Sequence, residues 1–441
     1  MSSVIEESKN GAESAVLALH KQFLDANQLS ADLLPFNKKA LDIFESLKFP
    51  HRKHEMYTFV NTKGLADTSF SLKTENSVQN SFVKPHVYAG CERSHLTFVD
   101  GALCPELSDA TALGTSVKIG SLIEAVKDES FKKILQESIE QENDVFASIN
   151  SAFMKQGIMV KVGRDKQVEV PLQILNVSSG GDNGPVMTVP RAYIHLEPSS
   201  ELKLIVKYVG DGSNYFVNSV QDMVIEDNAT LTHIQIEADS KDAWNFSKNR
   251  IFLKRDSKYL GYQTVSGTRL VRNHNEVRLN EPGAEMELNG VSVLEEDEQS
   301  HQFVRVHHEV ENCTSHQYFK NIINDRARAS FDGTVVVNKG AQLTNSDQLI
   351  NNLMLSDEGH ADCKPNLMIF ADDVKCAHGA TVGQLDDDQL FYLKTRGLSE
   401  SVAKEILTQS FARSIVQKIP FEPVVKELDE TLLKKLEANN E

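Results

Sequence analysis

Apolar residues recur at three- and four-residue steps through the first fifty positions. In "AESAVLALHKQFLDAN", Val16, Leu17, His20, Phe23 and Leu24 fall on one stripe, which predicts a helix. "ALDIFESLKF" repeats the pattern with Leu41, Phe44 and Leu47, and Pro50 closes it. The pattern is mixed from Ser81 to Leu107. A second helical zone runs from Ile119 to Gly157.

At Ile158 the texture changes. "IMVKVGRDKQVEVPLQILNVS" alternates apolar and polar residues, as strands with one buried face do. A small or polar pair followed by an apolar residue then returns at Ser199, Asn228, Ser257, Gly283, Gly340 and Gly379. The first gaps are 29, 29 and 26 residues, and the next, 57, is two such steps with a degenerate "NCTS" at Asn312 between them. The last gap, 39, does not fit. A repeat of this size built from short strands predicts a solenoid, in which stacked coils share one core. A parallel β-helix fits best. A β-sandwich is the rival, because finer turns also occur. The tail is helical again: Val402, Ile406, Leu407, Phe411 and Ile415 fall on one side, Pro420 interrupts, and "ELDETLLKKLEANNE" is amphipathic. The expected fold is mainly β with α. A right-handed parallel β-helix core (158–388) is flanked by a mostly helical N-terminal region (1–157) and a C-terminal helical region (389–441).

The 441 residues carry 46 Lys and Arg against 63 Asp and Glu, a formal charge of −17. That balance argues against nucleic-acid partners and against anionic membrane surfaces, both of which need basic residues. Five irregularly spaced cysteines imply no disulfide framework and a reducing compartment. The polar, acidic N-terminus reads as neither signal nor transit peptide, and no apolar run is long enough to span a bilayer. A cytoplasmic location is expected.

Candidate chemistry centres on "DVKCAH". If it is a strand, Cys376 and His378 leave the same face as Val374, while Lys375 and Ala377 leave the other. Thiolate and imidazole both suit iron or zinc, but two ligands fall short of a closed zinc site. On spacing alone the pair reads first as packing. His307, His308, Cys313, His316, His360 and Cys363 are further donors; coil stacking could bring His360 or Cys363 near Cys376. "SSGGDNGP" lacks the Gly-Lys-Ser/Thr ending of a phosphate loop and reads as a turn.

The long segment "CKPNLMIFADDVKCAHGATVGQLDDDQLFYLKTRGL", continuing into "SESVAKEILTQSFARSIV", resembles the C-terminal signature of the SufB/SufD family of SUF iron–sulfur cluster assembly proteins, most like its SufD branch. "FPHRKHEMYTF" resembles an early family motif, with Met56 where tryptophan is usual. The resemblance implies a non-catalytic scaffold that pairs with a SufB-like subunit through the β-helices. A SufC-like ABC-type ATPase would be bound by the C-terminal helices through Phe391, Tyr392, Leu393, Arg396, Gly397 and Leu398. It also implies no tightly bound cofactor, and transient iron or a nascent cluster at Cys376 and His378, shared with the partner. A SufB-like paralogue that receives sulfur itself, or a polysaccharide-acting enzyme on a β-helix, are the alternatives.

Overall fold

The computed structural model describes residues 2–26, 29–51, 53–73, 78–181, 184–212 and 214–438. Arg52 of the early motif, and Asp182 and Asn183 of the Gly-rich stretch, lie outside them. Helices α1 (Ser2–Ala26), α2 (Leu34–Leu47), α3 (Lys63–Ala66), α4 (Asn80–Val83), α5 (Leu122–Ala125), α6 (Glu129–Glu140) and α7 (Val145–Ala152) precede most of the strands. Helices α8 (Asp387–Thr395), α9 (Glu400–Val416) and α10 (Glu422–Ala438) follow them.

Between the two helical groups stand two long sheets. The mixed zone and the start of the alternating zone supply β1 (His95–Val99), β2 (Ala102–Leu103), β3 (Val117–Ser121), β4 (Ile158–Val162), β5 (Leu172–Ser178) and β6 (Val186–Thr188). The repeat supplies β7 (Arg191–Leu196), β8 (Glu201–Gly210), β9 (Tyr215–Ile225), β10 (Thr230–Ala238), β11 (Trp244–Leu253), β12 (Lys258–Val265) and β13 (Leu270–Leu279). It continues as β14 (Glu285–Leu294), β15 (Gln299–His308), β16 (Thr314–Ile323), β17 (Arg328–Val337), β18 (Thr344–Met354), β19 (His360–Ile369) and β20 (Val374–Gly383). The first sheet runs β2-β1-β5-β8-β10-β12-β14-β16-β18-β20 and the second β19-β17-β15-β13-β11-β9-β7-β4-β3, with β6 beside β9. From β7 onward each strand pairs in parallel with the strand two places later, so every coil gives one strand to each sheet. This is a parallel β-solenoid.

The repeated turns have a physical cause. Ser199, Asn228, Asp256, Gly283, Asn312 and Leu343 all take left-handed backbone angles, and each N–H donates to a carbonyl of the next coil at 2.6–3.2 Å. Five of them, all but Leu343, are at or beside the positions where the sequence repeat marks a turn. Gly379 is a correction: it lies inside β20, not at a turn.

Inside the coils, columns of side chains stack at one register. Leu202, Leu231, Tyr259 and Met286 form such a column and continue through Ser315 and Ser346 to Cys376. The apolar members belong to one core that runs through the solenoid. Both outer faces are covered, as parallel sheets require. On the second sheet, Phe146 of α7 packs against Phe216 and Phe246, with ring centroids 5.7 and 4.7 Å away. On the first, Ala412, Ile415, Val416 and Leu432 of α9 and α10 cover Val291, Val293, Ile322 and Leu353. The stripe expected on α9 is therefore split: Ile415 is buried, while Val402 and Ile406 are exposed.

Charge as well as apolar packing holds the N-terminal region down. Asp144 caps α7 by accepting from the Phe146 N–H, and takes further hydrogen bonds from Tyr57 Oη (2.6 Å), Arg272 (2.7 Å) and His274 (2.8 Å). Burial opposes its charge, but the Arg272 guanidinium and the His274 hydrogen bond win and hold its carboxyl well below the usual range. Arg272 lies over the rings of Tyr57 and Phe303. The early motif thus contributes Tyr57 to this buried knot. Removing Asp144 would strand the buried Arg272 guanidinium, a loss of about 3–5 kcal/mol for a broken buried pair.

Candidate functional site

Among the described residues the solenoid ends on two strands, β19 and β20. Among the described residues β20 pairs only with β18, and β19 only with β17. Their outer edges present unpaired backbone groups, which proteins normally blunt or cover. Apolar side chains collect at the same end. Leu343, Leu349, Met368, Ile369, Phe370 (59% exposed) and Val382 (57%) line the last coil, and Phe391 (69%), Tyr392, Val402 and Ile406 continue over α8 and α9. All the large apolar side chains found exposed among the described residues fall in this stretch. A patch so concentrated marks an interaction surface.

Cys376 and His378 stand on β20, in register with Ser346 and Gln348 of β18. Cys376 is half-buried and, with Val374, packs against the solenoid core; Lys375 and Ala377 are exposed. His378 is exposed on the open end. Burial pushes the Cys376 thiol up, so a metal binding there would have to displace its proton.

Beneath these two residues the interior is polar. Ser346 Oγ lies 2.8 Å from Ser315 Oγ, which lies 2.9 Å from His308 Nε2. Gln348 Nε2 donates to Gln317 Oε1 at 3.3 Å. Neither file was singled out by sequence reasoning. Their signal is polar residues at inward positions of successive coils, visible only once the register is known.

The other candidate donors are dispersed. Cys363 points inward on β19, where Asn352 Nδ2 donates to its sulfur at 3.3 Å. Asn352 is the register partner of Val382, six positions along β20 from Cys376. At strand rise that is about 20 Å, so coil stacking does not unite the two cysteines. His360 begins β19 beyond Cys363. Cys313 is buried in a turn with its sulfur near the Glu281 and Glu311 carbonyls. His316 pairs with Asp347. Among the described residues, no group of three or more His, Cys, Asp or Glu is placed to hold a metal ion. Cys376 and His378 offer a thiolate and an imidazole, donors that suit a soft metal but make up only part of a ligand set.

The C-terminal helices present the second surface. Gly397 takes a left-handed angle after α8, with its N–H bonded to the Lys394 carbonyl and the Leu398 N–H to that of Leu393. This closes α8 against α9, and Ser399 caps α9. Phe391 and Tyr392 face solvent, and Arg396 donates to Tyr392 Oη at 3.0 Å. Three residues separate Gly383 of β20 from α8, and one of them, Leu385, packs on the α9–α10 cluster.

Comparison with known proteins decides the family. Residues 177–411 match the SUF system FeS cluster assembly, SufBD core domain, and residues 17–174 match the SufBD protein N-terminal region. The chain belongs to the SufBD family. It is 28% identical over 416 residues to a SufBD-family iron–sulfur cluster assembly protein of Synechocystis, covering 91% of each chain. It is 28% identical over 373 residues to the iron–sulfur cluster assembly protein SufD of Escherichia coli, covering 84% of this chain and 85% of that one. The SufD of Bacillus subtilis is 24% identical over 439 residues, 94% and 97% of the two chains. SufBD membership gives the glycan-acting reading of the solenoid no support. No helix among the described residues is long and apolar enough to cross a membrane.

Proposed function

We propose that this SufBD-family chain is a SufD-like, non-catalytic scaffold of the SUF machinery. Its open solenoid end docks edge to edge on a SufB-like subunit, and α8–α9 dock a SufC-like ATPase. The observation that carries this reading is the unpaired, apolar-rimmed edge with Cys376 and His378 on its last strand. A partner strand satisfies the free backbone groups and brings the ligands that this chain lacks. Iron or a nascent cluster is then cargo held between two chains.

The short link from β20 to α8 supports a mechanical role. Movement of the ATPase subunits pulls on α8, the adjoining strand β20 shifts, and the ligand edge opens to iron and sulfide. The identities to two SufD proteins, over most of each chain, favour this branch over a sulfur-receiving SufB-like role.

The test is co-purification with SufB-like and SufC-like subunits, followed by cluster reconstitution. Cys376→Ala and His378→Ala are expected to assemble normally and to lower cluster yield several-fold. Normal yield in both variants would remove the pair from the mechanism. Failure to co-elute with either subunit would remove the scaffold reading.

A further inference from the structure

We propose that Gln348 is a positioning residue for His378: its side-chain oxygen, which has no partner in this structure, is the acceptor that the imidazole N–H takes up, and this fixes which ring nitrogen is bare. The inference rests on His378 being the ligand described above, and extends it one coil inward.

Three successive coils place Gln317, Gln348 and His378 in one column, each the register partner of the next. All three share the inward-facing parity of their strands. Gln348 is buried, at 1% exposure. Its Nε2 is committed to Gln317 Oε1, which turns its oxygen away from that bond. That oxygen is buried and has no hydrogen-bond partner. A buried acceptor left unpaired is costly, and proteins rarely keep one without a use. The strand beyond Gln348 is β20, and the residue directly over it is His378, one inter-strand spacing away.

A neutral imidazole has one N–H and one lone pair. An acceptor that holds the N–H on the inner nitrogen leaves the lone pair on the outer one, facing the partner edge. Ligating histidines commonly have such a second contact, which fixes the tautomer and raises ligand basicity. Gln317 would then orient Gln348, and Gln348 would orient His378. Cys376 has Ser346 in the equivalent place.

The test uses the purified full chain with ring-15N histidine, its His378 signals assigned by their absence in His378→Ala. Long-range 1H–15N correlation at pH 8 reports the tautomer. The wild type is expected to show one tautomer. Gln348→Leu is expected to release it to a mixture, and Gln348→Glu, which keeps an acceptor, to restore it. Thermal unfolding confirms that each variant is folded. A mixed tautomer in the wild type, or the same tautomer in wild type and Gln348→Leu, would overturn the inference. Reconstitution separates the two levels. Normal cluster yield in His378→Ala with the tautomer still fixed would defeat the ligand reading alone. Lowered yield in His378→Ala with no tautomer response to Gln348→Leu would defeat this inference alone.

Discussion

Glu237 lies wholly inside the solenoid, hydrogen-bonded to Gln235 and near Asp239. Burial, aided by the Asp239 charge and opposed by the Gln235 hydrogen bond, pushes its carboxyl up to about 8. The folded chain therefore holds a proton that the unfolded chain releases between about pH 4.3 and 8. Stability from this group is complete below that window and falls as pH rises through it, by about 1.4 kcal/mol per pH unit. Glu237→Gln should flatten the fall. Urea midpoints at pH 6 and pH 8 measure it, and an equal drop in variant and parent would contradict the assignment. At the same scale, Gln348 and Asp144 do work that their sequence neighbourhoods do not advertise. Asp144 does carry a local signal, a capping residue just before an apolar run. Its bonds to Arg272 and His274 span more than a hundred residues and follow only from the fold.

At the scale of elements, surface and support divide cleanly on α8 and α9. Phe391 and Tyr392 are exposed, whereas Ala412, Ile415 and Val416 are packed. A double change, Phe391→Asp with Tyr392→Asp, should leave stability within about 0.5 kcal/mol, as for ordinary surface changes. Binding of the ATPase subunit should weaken at least tenfold by titration calorimetry. Unchanged affinity would move the docking site elsewhere. The coil turns were legible in the sequence because a left-handed angle favours small or polar residues. Gly379 was misplaced for a related reason. β20 ends the stack, most of its side chains are exposed, and its small and polar residues read like a turn. The α9 stripe was misjudged because Val402 and Ile406 are apolar without being core. Cys376 and His378 were found because they share one strand face. Their supporting glutamine was not, because a column across coils has no short-range pattern.

The whole molecule is a solenoid closed on its two outer faces by helices and open at one end. Its buried histidines make it acid-sensitive. Burial lowers His233 and His301 to about 3 and His274 and His308 to about 4. Between about pH 6.5 and 4 the unfolded chain binds protons at these sites that the folded chain does not. Each contributes stability that is present above 6.5 and lost as pH falls, about 1.4 kcal/mol per unit, with Glu237, and below about pH 6 also Asp239, each opposing by one proton. The thermal midpoint should therefore drop steeply from pH 6.5 to 4.5, and a flat profile would contradict the burial of these rings. Whether the open end is a half-site completed by another chain is read out by hydrogen–deuterium exchange, alone and with a SufB-like subunit. Fast exchange is expected on the free outer edges of β19 and β20 in the isolated chain, and strong protection over residues 360–383 in the complex. Protection that appears elsewhere and leaves residues 360–383 unchanged would contradict the half-site.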